Sequence, residues 1–264
     1  MGVEMTKPIL LSIEAGIAEI RFNRPERLNA LDRDLADGFA DAVIATLAEP
    51  SVRVIVVSAG GRGFVAGGDL GHFHRSTDKS KAARELIDSM HGAIKMLAAA
   101  PQIVIGSLKG AVAGGGMSLA LSLDLLVAAD DTAFNLAYSR LGTSPDCGGS
   151  WSLPRLVGYR RALEIALLSE TIGADEALRL GLVNRVVPRE DLETATRQLA
   201  EKLAAGAPAA QAHIKRLFRA SLESSFCEQL DAEAEAFAAC ASTADFAEGI
   251  DAFFAKRKPV FTGR

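Results

Sequence analysis

Gly63-Phe64-Val65-Ala66-Gly67-Gly68-Asp69-Leu70 and Gly110-Ala111-Val112-Ala113-Gly114-Gly115-Gly116-Met117-Ser118-Leu119 are two glycine-rich stretches. Each closes a β-branched apolar run (Val52 to Val57, then Ile103 to Ile105) and opens into a helical pattern. A chain that turns sharply at the end of a buried strand leaves N–H groups without partners, and glycine lets another group approach them closely. Two such turns at neighbouring strand ends can aim two N–H donors at one oxygen, which is the geometry of an oxyanion hole.

Outward from these turns the pattern is that of an α/β protein. Ile9 to Ile13 and Ile17 to Phe22 read as a hairpin turning at Ala15-Gly16. Leu31, Leu35, Phe39, Val43 and Leu47 mark a helix with Asp32 as its cap, and Leu86, Met90, Ile94 and Leu97 mark a second. Ile103 to Leu108, Leu125 to Ala128 and Ala133 to Leu136 read as further strands. Strands alternating with helices imply parallel crossovers, with ligands at the carboxyl ends of the strands. Beyond Pro154 the chain turns helical: Arg155 to Leu168, Ala174 to Leu180, Asp191 to Ala205, Pro208 to Ser221, Phe226 to Ala239 and Asp245 to Lys256, with Val183 to Val187 as a strand.

The 264 residues are 49% hydrophobic and carry a net charge of −4, which suits one large domain and gives no reason to expect a nucleic-acid or anionic-membrane partner. Cys147, Cys227 and Cys240 have no metal-like spacing and are odd in number, arguing against a disulfide framework. No apolar stretch is long enough to span a membrane, and Met1 to Leu10 lacks the apolar core of a signal peptide, so a cytoplasmic setting is the expectation.

Several tempting motifs fail. Gly61-Arg62-Gly63-Phe64-Val65-Ala66 fits the dinucleotide pattern G-x-G-x-x-A, but more glycines follow where a helix should open. His72 and His74 form an H-x-H pair without a third ligand nearby, and His213 lies in a helical pattern as a surface or packing residue.

Taken together and in order, the two glycine motifs resemble the crotonase (enoyl-CoA hydratase/isomerase) superfamily, through Phe64-x-Ala66-Gly67-x-Asp69-Leu70 and Gly110-x-x-x-Gly114-Gly115-Gly116. The resemblance extends over Asn23-Arg24-Pro25, Leu28-Asn29-Ala30-Leu31, Asp124, Ala128-Ala129, Gly142 to Gly158, Gly181 to Val187 and Glu248-Gly249-Ile250 through Pro259. It implies a crotonase-like β-β-α spiral core over residues 1–200, and a helical region over 201–264 that builds a trimer or a dimer of trimers. It also implies an acyl-CoA substrate, with coenzyme A as part of that substrate and no metal or separate cofactor.

By the same resemblance, the thioester oxygen is held by the N–H groups of Gly68 and Gly115. Substrate contacts are implied at Ala66, Asp69 and Leu70, and CoA phosphate contacts at Arg24 or Arg27 and at Lys258. Hydratases of the superfamily place two glutamates at the thioester; this chain has Ser118 and Tyr138 there, leaving Tyr138 to line or polarise the acyl pocket. Asp146, in Pro145-Asp146-Cys147-Gly148-Gly149-Ser150-Trp151, matches the proton-shuttling aspartate of the superfamily's isomerases, while helix capping is the plain alternative. It also matches the nucleophilic aspartate of 4-chlorobenzoyl-CoA dehalogenase, whose helper histidine falls at His91. The isomerase reading is preferred, with the dehalogenase chemistry and a non-catalytic acyl-CoA-binding protein as alternatives.

Overall fold

In the computed structural model, which describes residues 7–264, the chain starts with the hairpin. The first six residues of the stretch read above for a leader lie outside the described residues. β1 (Ile9–Glu14) and β2 (Ile17–Phe22) pair antiparallel from Ile9↔Phe22 to Glu14↔Ile17, around a turn with positive φ at Ala15 and Gly16. The next elements are α1 (Arg33–Leu47), β3 (Val54–Ala59), α2 (Leu70–Arg75), α3 (Lys79–Ala99), β4 (Ile103–Leu108), β5 (Ala111–Ala113), α4 (Gly115–Ser122), β6 (Leu125–Ala129) and β7 (Ala133–Asn135). Then come α5 (Gly149–Val157), α6 (Tyr159–Leu168), β8 (Ile172–Gly173), α7 (Ala174–Arg179), β9 (Arg185–Val187), α8 (Leu192–Ala204), α9 (Pro208–Ala220), α10 (Phe226–Ala241) and α11 (Ala244–Phe254).

Six strands form one sheet in the order β1-β2-β3-β4-β6-β9, parallel from β2 onward, and β5-β7-β8 form a second. Every residue of β3 is buried because both faces of the sheet are covered. One face meets α1 and α3 through Phe22, Phe39, Val57 and Met90; the other meets α8 through Ile17, Val54, Ile105, Leu192 and Leu199. α8 contains the 200/201 position that divides core from tail in the sequence reading, and it packs on the sheet. No helix of the described residues is long and apolar enough to cross a membrane.

Asp32 caps α1 as expected, accepting the Leu35 N–H at 3.0 Å. The helix expected over Arg155 to Leu168 is instead two, broken at Gly158, whose φ of 77° ends α5. α5 also begins earlier, with Pro154 inside it. A proline there removes the bond to the Ser150 carbonyl, and Ser150 is exposed, so water can meet that oxygen. The two-residue β8 and the three-residue β5 are too short to show periodicity.

α9 is fastened to the sheet by a buried charge. The Lys215 ammonium donates to the carbonyls of Leu97 (3.0 Å) and Gln102 (2.9 Å) and pairs with Asp124 at 2.8 Å. Asp124 also accepts from Arg219 at 2.8 Å and from the Val104 N–H at 2.9 Å. Burial pushes the Lys215 ammonium down from the usual lysine range, while Asp124 works against that. Removing one partner of such a pair leaves a buried charge uncompensated, at about 3–5 kcal/mol. Asp124→Asn should therefore lower the unfolding free energy by about 3 kcal/mol in urea titrations; a loss below about 1 kcal/mol would show that α9 is held by its apolar contacts.

Candidate active site

The first glycine turn is shaped by a segment far from it in sequence. Asn29 is fully buried, with φ of +54°, and its side-chain NH₂ donates to the carbonyls of Gly60 (3.1 Å), Gly63 (3.3 Å) and Phe64 (2.8 Å). Its side-chain oxygen accepts the Arg24 N–H at 2.8 Å. Alongside, Ala66 N–H donates to the Leu28 carbonyl, Leu31 N–H to Gly67, and Asp69 N–H to Leu31. These bonds straddle Gly68 and leave its N–H without an acceptor among the described residues.

The second turn lies against the first. Phe64 N–H donates to the Ala111 carbonyl at 3.1 Å, and Ala113 N–H to Val65 at 2.9 Å. A Cβ on Gly114 would stand 3.5 Å from the Gly67 α-carbon, so Gly68 and Gly115 each follow one residue beyond this contact. Gly115 opens α4, and its N–H too has no acceptor among the described residues. The positive end of the helix dipole adds to that donor's attraction for negative charge.

The third component is a carboxylate. Cys147 and Gly148 are both left-handed, with φ of 48° and 83°, and they swing the chain from Asp146 into α5. His91 on α3 holds this bend: its Nε2 accepts the Cys147 N–H at 3.0 Å. Asp146 does not cap α5, whose N-cap is Gly148 with no side-chain acceptor. Its Oδ1 faces Gly115, 3.6 Å from where a Cβ there would lie, and accepts the Tyr138 hydroxyl. Tyr138 Oη is in turn 3.0 Å from Ser118 Oγ. Burial, reinforced by the Asp146 charge, pushes both the Tyr138 phenol and the Cys147 thiol far above their usual ranges.

Gly68, Gly115, Asp146, Tyr138 and His91 are thus brought together. Ala66 belongs to the strand-like edge of the first turn. Asp69 caps α2, accepting from Gly71 (2.8 Å) and His72 (3.2 Å), with Arg27 at 3.5 Å, while Leu70 begins α2 exposed. Arg24 is committed to Asp32 and Asp34, whereas Arg27 reaches solvent. Lys258 lies in the exposed C-terminal segment beside the Arg257–Glu248 pair, and among the described residues it makes no ion pair with the turns. Asn29 was not singled out from the sequence as a site-building residue; its one signal is a polar side chain inside the apolar Leu28-Asn29-Ala30-Leu31 run.

Residues 12–264 match the family model described as enoyl-CoA hydratase/isomerase. A Rhodobacter capsulatus protein named probable enoyl-CoA hydratase is 39% identical over 97% of this chain and 98% of its own length. The 1,2-epoxyphenylacetyl-CoA isomerase of Escherichia coli is 35% identical over 98% of this chain and 100% of its own. The crystal structure of an enoyl-CoA hydratase from a Polaromonas species superposes with a TM-score of 0.92 at 33% identity, covering 96% of this chain and 99% of that one.

Removing the Asn29 amide strips three buried carbonyls of their shared donor, each costing about 1–3 kcal/mol if left unmet. Asn29→Ala should lower stability by at least about 2 kcal/mol in urea unfolding and release the Gly60–Phe64 amides to hydrogen exchange. Unchanged exchange there would mean that the turn holds its own shape.

Proposed function

Because this chain belongs to the enoyl-CoA hydratase/isomerase family, we propose that it is an isomerase that moves a proton along the acyl chain of a CoA thioester. The observation that carries this reading is the Asp146 carboxylate beside Gly115, in a site where Ser118 and Tyr138 stand in place of two acids. Asp146 takes a proton from carbon, and the electron pair left behind moves into the thioester carbonyl as an enolate. The N–H groups of Gly68 and Gly115 hold that oxygen, and they bind it more strongly as its charge grows. Asp146 then returns the proton at another carbon of the conjugated system, so no atom is gained or lost.

Hydration asks for more: a base for water and an acid for the α-carbon. Tyr138, whose hydroxyl is committed to Asp146 and whose phenol is pushed up by burial, cannot act as the base at neutral pH. The dehalogenase alternative, with Asp146 as nucleophile, needs a free histidine nitrogen, and His91 Nε2 is occupied by the Cys147 N–H. For the CoA phosphates we propose the solvent-reaching Arg27, with Lys258 from the C-terminal segment.

The chain is further proposed to assemble in the cytoplasm as a trimer or dimer of trimers. Supporting this are exposed phenylalanines on the tail helices (Phe218, Phe226, Phe237, Phe253, Phe254). An apolar cleft of about 570 Å³ also lies between α5 and α9, lined by Trp151, Leu156, Ile214 and Phe218. Sedimentation equilibrium should return three or six times the chain mass; a monomer would refute the assembly.

Asp146→Asn keeps size and cannot take a proton. It should reduce isomerisation of an unsaturated acyl-CoA by about 10²–10⁴-fold, with melting temperature unchanged and deuterium uptake into the acyl chain lost. Crotonyl-CoA hydration by the wild type should be slow beside isomerisation. A covalent adduct with a haloaryl-CoA would turn the assignment to the dehalogenase chemistry, and full turnover by the variant would refute Asp146 as base.

A further inference from the structure

We infer that Tyr138 is a positioning residue for Asp146, and that Ser118 fixes the direction in which the Tyr138 hydroxyl points. The inference rests on the proposed role of Asp146 as base.

The proton count sets the order of the chain. A carboxylate can only accept, and a phenol has one proton, so the short contact between Tyr138 and Asp146 Oδ1 is a donation by Tyr138. The Ser118–Tyr138 contact, 3.0 Å long, must then be donated by Ser118. Ser118 is fully buried, and Gly149 leaves it room: a Cβ there would lie 2.3 Å from Ser118 Oγ. The relay therefore runs Ser118 to Tyr138 to Asp146, built from the two positions where hydratases of the family carry acids.

Oδ1 is fixed beside Gly115 by the Tyr138 hydroxyl, with the Cys147 thiol as a further hydrogen-bond partner of the carboxylate. Burial beside the Asp146 charge keeps the Tyr138 phenol protonated, so Tyr138 is the donor while Asp146 is ionised.

Tyr138 comes to Asp146 from the turn over Tyr138–Leu141, the Cys147 thiol lies beside the carboxylate, and His91 reaches it from α3 through the Cys147 N–H. α4 contributes Gly115 beside Oδ1 and Ser118 behind Tyr138, and the Arg155 guanidinium of α5 stacks on Trp151. A second ring proton on His91 would end its acceptance of the Cys147 N–H, so His91→Gln is measured in parallel.

In Tyr138→Phe, kcat should fall about 10- to 100-fold, the size expected for one hydrogen bond to a charged group. KM should change little. The ¹³C carboxyl resonance of Asp146 at fixed pH should move as its donor is lost, and Ser118→Ala should give a smaller change in both readouts. An unchanged kcat and an unchanged Asp146 carboxyl resonance in a folded Tyr138→Phe protein would overturn the inference and leave Tyr138 a packing residue. If the resonance moves while Asp146→Asn retains turnover, the relay stands and it is the reading of Asp146 as base that falls.

Discussion

Val65 and Gly116 come together so closely that a Cβ on Gly116 would lie 2.1 Å from the Val65 carbonyl oxygen. No side chain fits in that space. Val65 also receives the Ala113 N–H and bridges Val112, so the two turns are joined by backbone rather than by side chains. Because of this contact the carboxyl ends of β3 and β4 are welded into one surface, and Gly68 and Gly115 emerge from it side by side. The sheet beneath supplies rigidity: both its faces are covered by helices, so the turns rest on strands with nowhere to move.

The chemistry of the site depends on which groups keep their protons. In the low-polarity space behind the turns, a charge without partners is costly, and the side chains divide accordingly. Asp146 carries a hydroxyl donor, whereas Tyr138 and Cys147 are held neutral by burial next to it. On the proposed isomerase reading, one carboxylate among hydroxyls moves a proton between carbons. Such a site offers a single acceptor for protons, where activation of water asks for two acids acting in concert.

Much of the fold was legible in the sequence. The i, i+4 apolar stripe from Leu35 to Leu47 and the Asp32 cap are local features, and they give α1 directly. The glycine turns were legible because backbone crowding leaves glycine as the only fit. What escaped was set by distant contacts or by backbone angles. Gly158 splits α5 from α6 through a left-handed φ that a helical stripe does not reveal. Asn29 acts on carbonyls more than thirty residues away. The Tyr138–Asp146 bond spans eight residues containing left-handed Gly142, and the periodicity of neither flanking element foretells that their side chains meet.

The bend after Asp146 sets where its carboxylate points. An aspartate just before a helix would ordinarily turn its carboxylate onto the free N–H groups of the first turn, a stabilisation of about 1 kcal/mol. Here α5 starts at a glycine with no side-chain cap, and Cys147 is held in a left-handed conformation that costs a non-glycine residue on the order of 1 kcal/mol or more. Both costs disappear from view as local features, since neither improves the helix. They make sense once His91 and Tyr138 are included: one holds the bend by its backbone N–H, the other holds the carboxylate by its oxygen, and together they keep Asp146 turned away from α5 and toward Gly115. The bend therefore gives up a helix cap and strains Cys147 while leaving a carboxylate that faces Gly115, the orientation that the proposed role of Asp146 requires.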